Sequence, residues 1–190
     1  YKRGVKGYRS HYTGEQAHPG YYRAKLTQHD ILAELTATLR AGMHRYTFGK
    51  DGDAHLLVDL THGFADAMDK PAKVTDAELT LVGNDTLVGG RRVWQWAIGR
   101  VIYFAMKVSR PVSSATFYAD DKALPKGTTT AKGDHLKAAL HFDKASSEPL
   151  LVKVGISGVD IDGAMRNLDG ELPAWDFDGI RASAEAEWEG

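Results

Sequence analysis

The sequence predicts a mainly β protein, an antiparallel β-sandwich that ends in a helical connector, and three observations support this fold class. Hydrophobic residues alternate at a period of two, most clearly over residues 101–108. Apolar runs rich in β-branched residues, at 56–60 and 150–156, are too short for helices. Glycine, proline, asparagine and aspartate recur between these segments, which is typical of a sandwich or barrel.

The strands can be placed in chain order from their alternation. Residues 21–26 and 44–48 alternate, and the segment 34–46 is predicted to be one extended strand. Its alternate positions carry Glu34, Thr36, Thr38 and Arg40. A solvent-facing sheet explains this polar face, and so does a groove that meets a partner domain or a polyol.

A strand–turn–strand unit follows in the middle of the chain. Residues 78–82 alternate, and residues 83–90 collect turn-forming residues, including Gly89 and Gly90. The turn is therefore predicted over 83–90, with the next strand beginning near Arg91.

The last 35 residues or so change to a helical period. Residues 160–168 predict a short helix with an acidic N-cap, and residues 171–175 a break. A second helix is predicted to begin near Asp176, with apolar residues at a spacing of four, namely Ile180, Ala184 and Trp188. We expect a sandwich domain over residues 1–174 and the start of a linker over 175–190, within a longer protein.

Composition excludes several classes of function. The 190 residues include 24 basic and 25 acidic side chains, for a net charge of −1, which argues against a nucleic-acid partner bound through a broad basic face. No apolar run approaches the roughly 18 residues of a membrane-spanning helix. The absence of cysteine excludes a thiolate metal site and a cysteine nucleophile.

Neither a metal site nor a catalytic residue is assigned from the pattern. No helical histidine pair exists among the eight histidines; His55 and His62 flank Asp59, but surface or half-buried histidines are the favoured interpretation. The candidate carboxylates for glycoside hydrolysis are Glu15, Glu34, Asp59 and Glu171. The sequence does not show whether any two of them face one cavity.

Trp94 and Trp96 lie on the same face of a predicted strand. Such a pair can form a flat platform for a sugar, but packing in the core of the sandwich is the favoured interpretation.

An ordered set of short segments along nearly the whole chain resembles the N-terminal domain of glycoside hydrolase family 92, the bacterial α-mannosidases. The matching residues are Ser10-His11, Glu15, Ala17, Pro19 to Tyr22, 33–38, Arg40, Gly42, His44 to Tyr46, 57–60, Trp96, 101–104, 152–157, Ala164, Asn167-Leu168, Glu171, Pro173, 175–177 and Trp188. No single segment is a catalytic signature.

The resemblance implies a sandwich similar to the galactose-mutarotase-like supersandwich, linked by a helix to an (α/α)6 barrel of the same polypeptide. It implies a calcium-dependent, inverting exo-α-mannosidase that acts on mannose-containing glycans. The calcium ion and the acid and base carboxylates are expected in the barrel. This chain alone is therefore expected to be inactive, and an extracellular or periplasmic location is expected.

By the same resemblance, Glu15, Arg40, His44 and Arg45 are candidates for contact with substrate or with the partner domain. The alternative for each is a structural hydrogen bond within the sandwich or at the domain interface. The spacing from His11 to Glu15 departs from the family pattern, so His11 receives no role. Trp175, Phe177 and Trp188 are expected to form an exposed apolar patch for the barrel.

Two other functions remain open at this stage. A stand-alone carbohydrate-binding module would use Trp94 and Trp96 and would bind glycans by itself. A self-contained hydrolase would release mannose and would depend on Glu15 or Asp59.

Overall fold

A computed structural model of the chain describes residues 10–49, 54–62, 73–94, 98–143 and 148–189. In these ranges it has thirteen strands and two helices. The strands are β1 (Tyr12–His18), β2 (Tyr21–Leu26), β3 (Ile31–Ala37), β4 (Ala41–Thr47), β5 (Ala54–Asp59), β6 (Lys73–Val82), β7 (Thr86–Trp94), β8 (Arg100–Val108), β9 (Ser114–Ala119), β10 (Lys122–Ala123), β11 (Thr130–Gly133), β12 (Leu136–Phe142) and β13 (Leu150–Ser157). The helices are α1 (Ile161–Glu171) and α2 (Phe177–Glu189).

The strands form two antiparallel sheets, which confirms the predicted fold class. The large sheet has nine strands in the order β1-β2-β3-β4-β13-β8-β7-β6-β11, and the small sheet has four in the order β10-β9-β12-β5. Side chains such as Met106 and Val152 lie on the inner face of the large sheet and pack with Phe117 and Leu140 of the small sheet. Burial of these side chains forms the main core.

The opposite face of the large sheet, here called the helix face, carries both helices. Ala105 and Val88 on this face pack against Ala164 of α1. Phe177 and Ile180 of α2 pack against Tyr21 and Met43. The large sheet is therefore covered on one face by strands and on the other by helices.

Both helices begin where the sequence predicts. Asp160 is the N-cap of α1, and its carboxylate accepts a hydrogen bond of 2.5 Å from the backbone N–H of Gly163. Asp176 accepts a hydrogen bond of 2.9 Å from the N–H of Gly179 in the first turn of α2. Between the helices, the buried Lys153 donates a hydrogen bond of 2.7 Å to the carbonyl of Leu172, which holds the predicted break against the sheet.

Two details of the sequence prediction are wrong. Residues 34–46 are a hairpin, since β3 ends at Ala37 and β4 begins at Ala41, so Thr38 and Arg40 lie in the turn. The turn predicted over 83–90 covers only 83–85. Gly89 and Gly90 lie within β7 instead. Glycine at position 90 has a packing role, because a Cβ there would come within 2.7 Å of the ring of Tyr103.

Helix α1 lies close to the sheet because Gly155 has no side chain. A Cβ there would be 2.5 Å from the carbonyl oxygen of Ala164 and 2.7 Å from the Cβ of Leu168. These distances are too short for real contacts, so the helix would have to move.

Gly155→Ala is therefore expected to lower the free energy of unfolding by about 1–3 kcal/mol through overpacking. Urea unfolding measures this change. Gly158→Ala is the matched control, because a Cβ at Gly158 has no atom within 4 Å. Equal stability of Gly155→Ala and Gly158→Ala would contradict the close approach of α1.

Candidate functional site

The four candidate residues from the sequence lie at one end of the large sheet. Glu15 is on β1, Arg40 in the turn after β3, and His44 and Arg45 on β4. His44 and Arg45 are neighbours on a strand, so their side chains point to opposite faces. The structure therefore places the four residues near one another in the fold without bringing them into one site.

Arg45 lies on the helix face and is held by two carboxylates. Its Nε and one terminal nitrogen each donate a 2.8 Å hydrogen bond to Glu34, and the other terminal nitrogen donates to Asp178 of α2 at 3.0 Å. The hydroxyl of Tyr21 also donates to Glu34, at 2.8 Å. The guanidinium lies 4.2 Å from the centroid of the Phe177 ring.

These contacts change the titration of both ionised groups. The hydrogen bonds from Arg45 lower the pKa of the Glu34 carboxyl, against the opposing effect of burial. The hydrogen bond to Glu34 raises the pKa of Arg45. Both groups are therefore ionised at neutral pH and join the sheet to α2.

Arg40 is held in a similar way by α1. Its Nε donates to Glu171 at 2.6 Å and its backbone N–H donates to the same carboxylate at 2.9 Å. The hydroxyl of Thr38 donates to Glu171 at 2.6 Å. Burial alone would raise the pKa of Glu171, but the hydrogen bonds from Thr38 and Arg40 lower it.

Glu15 is exposed on β1 and accepts a hydrogen bond of 2.8 Å from the hydroxyl of Tyr22. This hydrogen bond raises the pKa of Tyr22. Glu15, Arg40 and Arg45 thus all have structural partners within the chain, and a contact of any of them with substrate or with a partner domain stays a prediction.

His44 differs from the other three because it borders two concavities. One is an open cleft of about 990 Å³ between β1–β4 and the end of α2, which is also lined by Tyr22, Leu35 and Trp188. The other is an apolar pocket of about 300 Å³ between the sheets, which is also lined by Tyr46. Of the four candidates, His44 is therefore the one that lines these cavities.

His44 and Tyr46 share a hydrogen bond between Nδ1 and the hydroxyl, 2.9 Å long. Burial lowers the pKa of His44 and raises the pKa of Tyr46 to about 12. Both groups are therefore neutral at pH 7, a state that suits hydrogen bonding to a neutral ligand.

The candidate carboxylates have separate surroundings. Asp59 lies on the small sheet and accepts hydrogen bonds of 2.7 and 2.6 Å from the backbone and hydroxyl of Thr61. Glu34 is bound by Arg45 on β4, and Glu171 is bound by Arg40 in the turn between β3 and β4. Within the residues that the structure describes, no three histidine, aspartate or glutamate side chains lie close enough together to hold a metal ion.

Trp94 differs from the favoured interpretation of the tryptophan pair. Trp94 is 45% exposed, so the prediction that it packs in the core is wrong. Trp96 lies outside the described residues. Of the proposed apolar patch, Trp175 and Trp188 are 40% and 74% exposed, whereas Phe177 is 3% exposed beneath Arg45.

Comparison with known proteins decides the family. The family model described as the glycosyl hydrolase family 92 N-terminal domain matches residues 1–157. The chain belongs to glycosyl hydrolase family 92. The resemblance seen in the sequence is thereby confirmed, and the helices α1 and α2 follow the matched region of this family 92 domain.

Solved structures agree with this assignment. A family 92 α-mannosidase from Bacteroides thetaiotaomicron is 31% identical over 96% of the chain, with a TM-score of 0.85. A family 92 inverting mannosidase from the same bacterium is 22% identical over 99% of the chain, with a TM-score of 0.84, a likeness that shows the fold. An uncharacterised secreted glycosidase from Arthroderma benhamiae is 26% identical over 94% of the chain.

The family 92 chain spans about a quarter of the length of these relatives. It covers 25% of the first mannosidase, 24% of the second and 25% of the fungal protein. Most of each relative therefore lies outside the region that this chain represents. Among the described residues, neither helix is long and apolar enough to cross a membrane.

Glu34→Gln is expected to lower the free energy of unfolding at pH 7 by about 1.5–3 kcal/mol, because it removes the charge that accepts the hydrogen bonds of Arg45. Folding lowers the pKa of Glu34, so its contribution is complete above the unfolded pKa and is lost as pH falls through the folded value. The difference between wild type and variant should therefore shrink at acid pH.

Urea unfolding at pH 7 and at pH 3 measures this difference. Glu15→Gln removes an exposed carboxylate and should change stability by less than about 0.5 kcal/mol at either pH. A defect of Glu34→Gln that is the same at both pH values would show that the ion pair is not its cause.

Proposed function

We propose that this chain is the N-terminal β-sandwich domain of a calcium-dependent, inverting exo-α-mannosidase that trims mannose from glycans. The observation that carries the proposal is membership of family 92, together with 31% identity over 96% of the chain to an α-mannosidase of the same fold. The location we propose is extracellular or periplasmic, in keeping with the secreted fungal relative.

In this proposal the domain completes the substrate pocket of a separate (α/α)6 barrel that lies in the same polypeptide. The open cleft lined by His44 and Trp188 supports such a role, since it combines an exposed indole with a neutral imidazole. Arg40 and Arg45 support it indirectly, because their ion pairs hold α1 and α2 in place at the same end of the sheet.

The reaction needs an acid and a base on opposite sides of the scissile bond, with room for a water molecule between base and sugar. Calcium takes six to eight oxygen ligands in general and can bind sugar hydroxyls when it is present. Within the described residues, no three histidine, aspartate or glutamate side chains lie close enough together to hold such an ion. On the family resemblance, the proposal assigns the ion and both catalytic carboxylates to the barrel.

The chain alone is expected to release no mannose from an aryl α-mannoside, whereas a polypeptide that continues into the barrel should do so. Proton NMR of the early product should show the β-anomer, as an inverting reaction requires. Turnover by the chain alone would support a self-contained hydrolase. Activity of the longer polypeptide on other glycosides only would refute the α-mannosidase proposal.

Removal of calcium is expected to affect the two polypeptides differently. A chelator should abolish hydrolysis by the longer polypeptide, and added calcium should restore it, because the proposed ion lies in the barrel. The thermal midpoint of the chain alone should not respond to chelator or to calcium. A calcium-dependent midpoint of the chain alone would place the ion in this domain and contradict the assignment to the barrel.

A further inference from the structure

A small polar hollow lies on the helix face of the large sheet, where β6, β7, β8 and β11 meet. Its volume is about 110 Å³, and its lining includes Asp76, Glu78, Arg92 and Tyr103. Glu78 on β6, Gly90 on β7 and Tyr103 on β8 lie side by side in one cross-strand row. In the next row, Asp76 on β6 lies opposite Arg92 on β7. We call this feature the polar hollow.

Gly90 lets the Tyr103 ring lie over β7 at the polar hollow. A Cβ at that position would come within 2.7 Å of the Tyr103 ring. The ring therefore occupies the space that a side chain at position 90 would take, and Glu78 is the neighbour of Gly90 on the other strand. The missing side chain in this way lets an aromatic ring and a carboxylate residue border one small space.

Trp94 extends this surface along β7. It lies two residues beyond Arg92 on the same strand, so the two side chains share a face about 7 Å apart. The indole is 45% exposed, and a Cβ built on Gly99 would lie 3.5 Å from its Cζ2 atom. Arg92 donates a hydrogen bond of 3.0 Å to the carbonyl of Gly99. The ring therefore rests on a turn that is tied to the rim of the hollow.

The charges around the hollow select the class of ligand. Asp76 and Glu78 are balanced by Arg92 and Lys132, and the Lys132 Nζ lies 3.4 Å from a carboxylate oxygen of Glu78. Arg91 also lines the hollow, but its guanidinium donates a hydrogen bond of 2.9 Å to the carbonyl of Leu60, a residue of the main core. A balanced set does not favour an anion or a cation over a neutral molecule. It does offer hydrogen-bond acceptors and donors together, which matches hydroxyl groups that both donate and accept.

We infer that the polar hollow and Trp94 form a saccharide-binding site that takes one neutral pyranose of a glycan chain. The sugar's apolar C–H face lies on the indole, and its hydroxyl groups bond Asp76, Glu78 and Arg92. The site uses contacts within this chain alone, so it does not require the proposed mannosidase activity. The ring is already positioned, which reduces the entropy lost on binding.

Affinity electrophoresis of the chain in native gels tests the site, with α-mannan, β-glucan or arabinoxylan as the immobilised polysaccharide. At least one of these should retard the wild-type protein. Trp94→Ala should weaken the retardation roughly tenfold or more, since it removes the platform. Trp94→Tyr should retain part of it. Glu78→Gln should weaken binding without removing the aromatic surface.

Tyr12→Ala is the matched control, because this ring is 54% exposed on β1 and lines neither the polar hollow nor the cleft beside α2. Its retardation should equal that of the wild type. Trp188→Ala removes the exposed indole of the cleft beside α2 and shows whether that cleft binds the polysaccharide instead. Circular dichroism spectra and thermal midpoints must show that Trp94→Ala is folded. If that variant does not fold, the wild-type protein is titrated with mannobiose, cellobiose or xylobiose instead. A shift of the Trp94 indole N–H signal in NMR spectra is then the expected sign of binding.

Three results would overturn the inference. They are no retardation by any of the polysaccharides, unchanged retardation of folded Trp94→Ala, and loss of retardation in Trp188→Ala alone. The last result would assign binding to the cleft beside α2. Mannosidase activity is measured on the longer polypeptide, and retardation by polysaccharide is measured on the chain alone. Failure of the proposed function and failure of this site can therefore be told apart.

Discussion

The N-terminal part of the large sheet depends on one buried carboxylate, that of Glu34. A charge that leaves water needs opposite charge and full hydrogen bonding, or the fold loses several kcal/mol. Glu34 is 7% exposed and receives two hydrogen bonds from Arg45 and one from Tyr21. Arg45 in turn binds Asp178, so the same arginine joins the buried carboxylate of the sheet to the first turn of α2.

Glycines beneath the helices also position them, because the absent side chains allow the helices to lie close to the sheet. Gly155 lies beneath α1, and Gly20 lies beneath α2, where a Cβ would come within 2.8 Å of the backbone nitrogen of Glu185. Dispersion contacts and ion pairs act over short distances, so close approach is needed before either can contribute. Glycines and ion pairs together therefore favour one position for each helix on the sheet.

The two faces of the large sheet consequently differ in what they can offer to a ligand or a partner domain. The helix face is covered by α1 and α2 and is open mainly near Trp94, where the chain combines an indole with balanced charges. The inner face packs on the small sheet over β8 and β13 but borders an open cleft near His44. The two faces of this family 92 domain therefore present different side chains to any ligand or partner domain.

The sequence alone determined the sandwich, the strand β2, both helix starts and the family, because these follow from local periodicity, capping and an ordered set of motifs. It did not determine that Thr38 and Arg40 lie in a hairpin turn, since the alternation of polar and apolar residues continues through the turn, where Leu39 stands between them. Nor did it show that Trp94 is exposed and Phe177 buried. Whether a side chain is buried depends on which face of the sheet or helix another element covers. Strand register and the docking of the helices determine which face is covered. The polar hollow needs Gly90, Glu78 and Tyr103 from three strands in one row, and only the folded sheet brings them together.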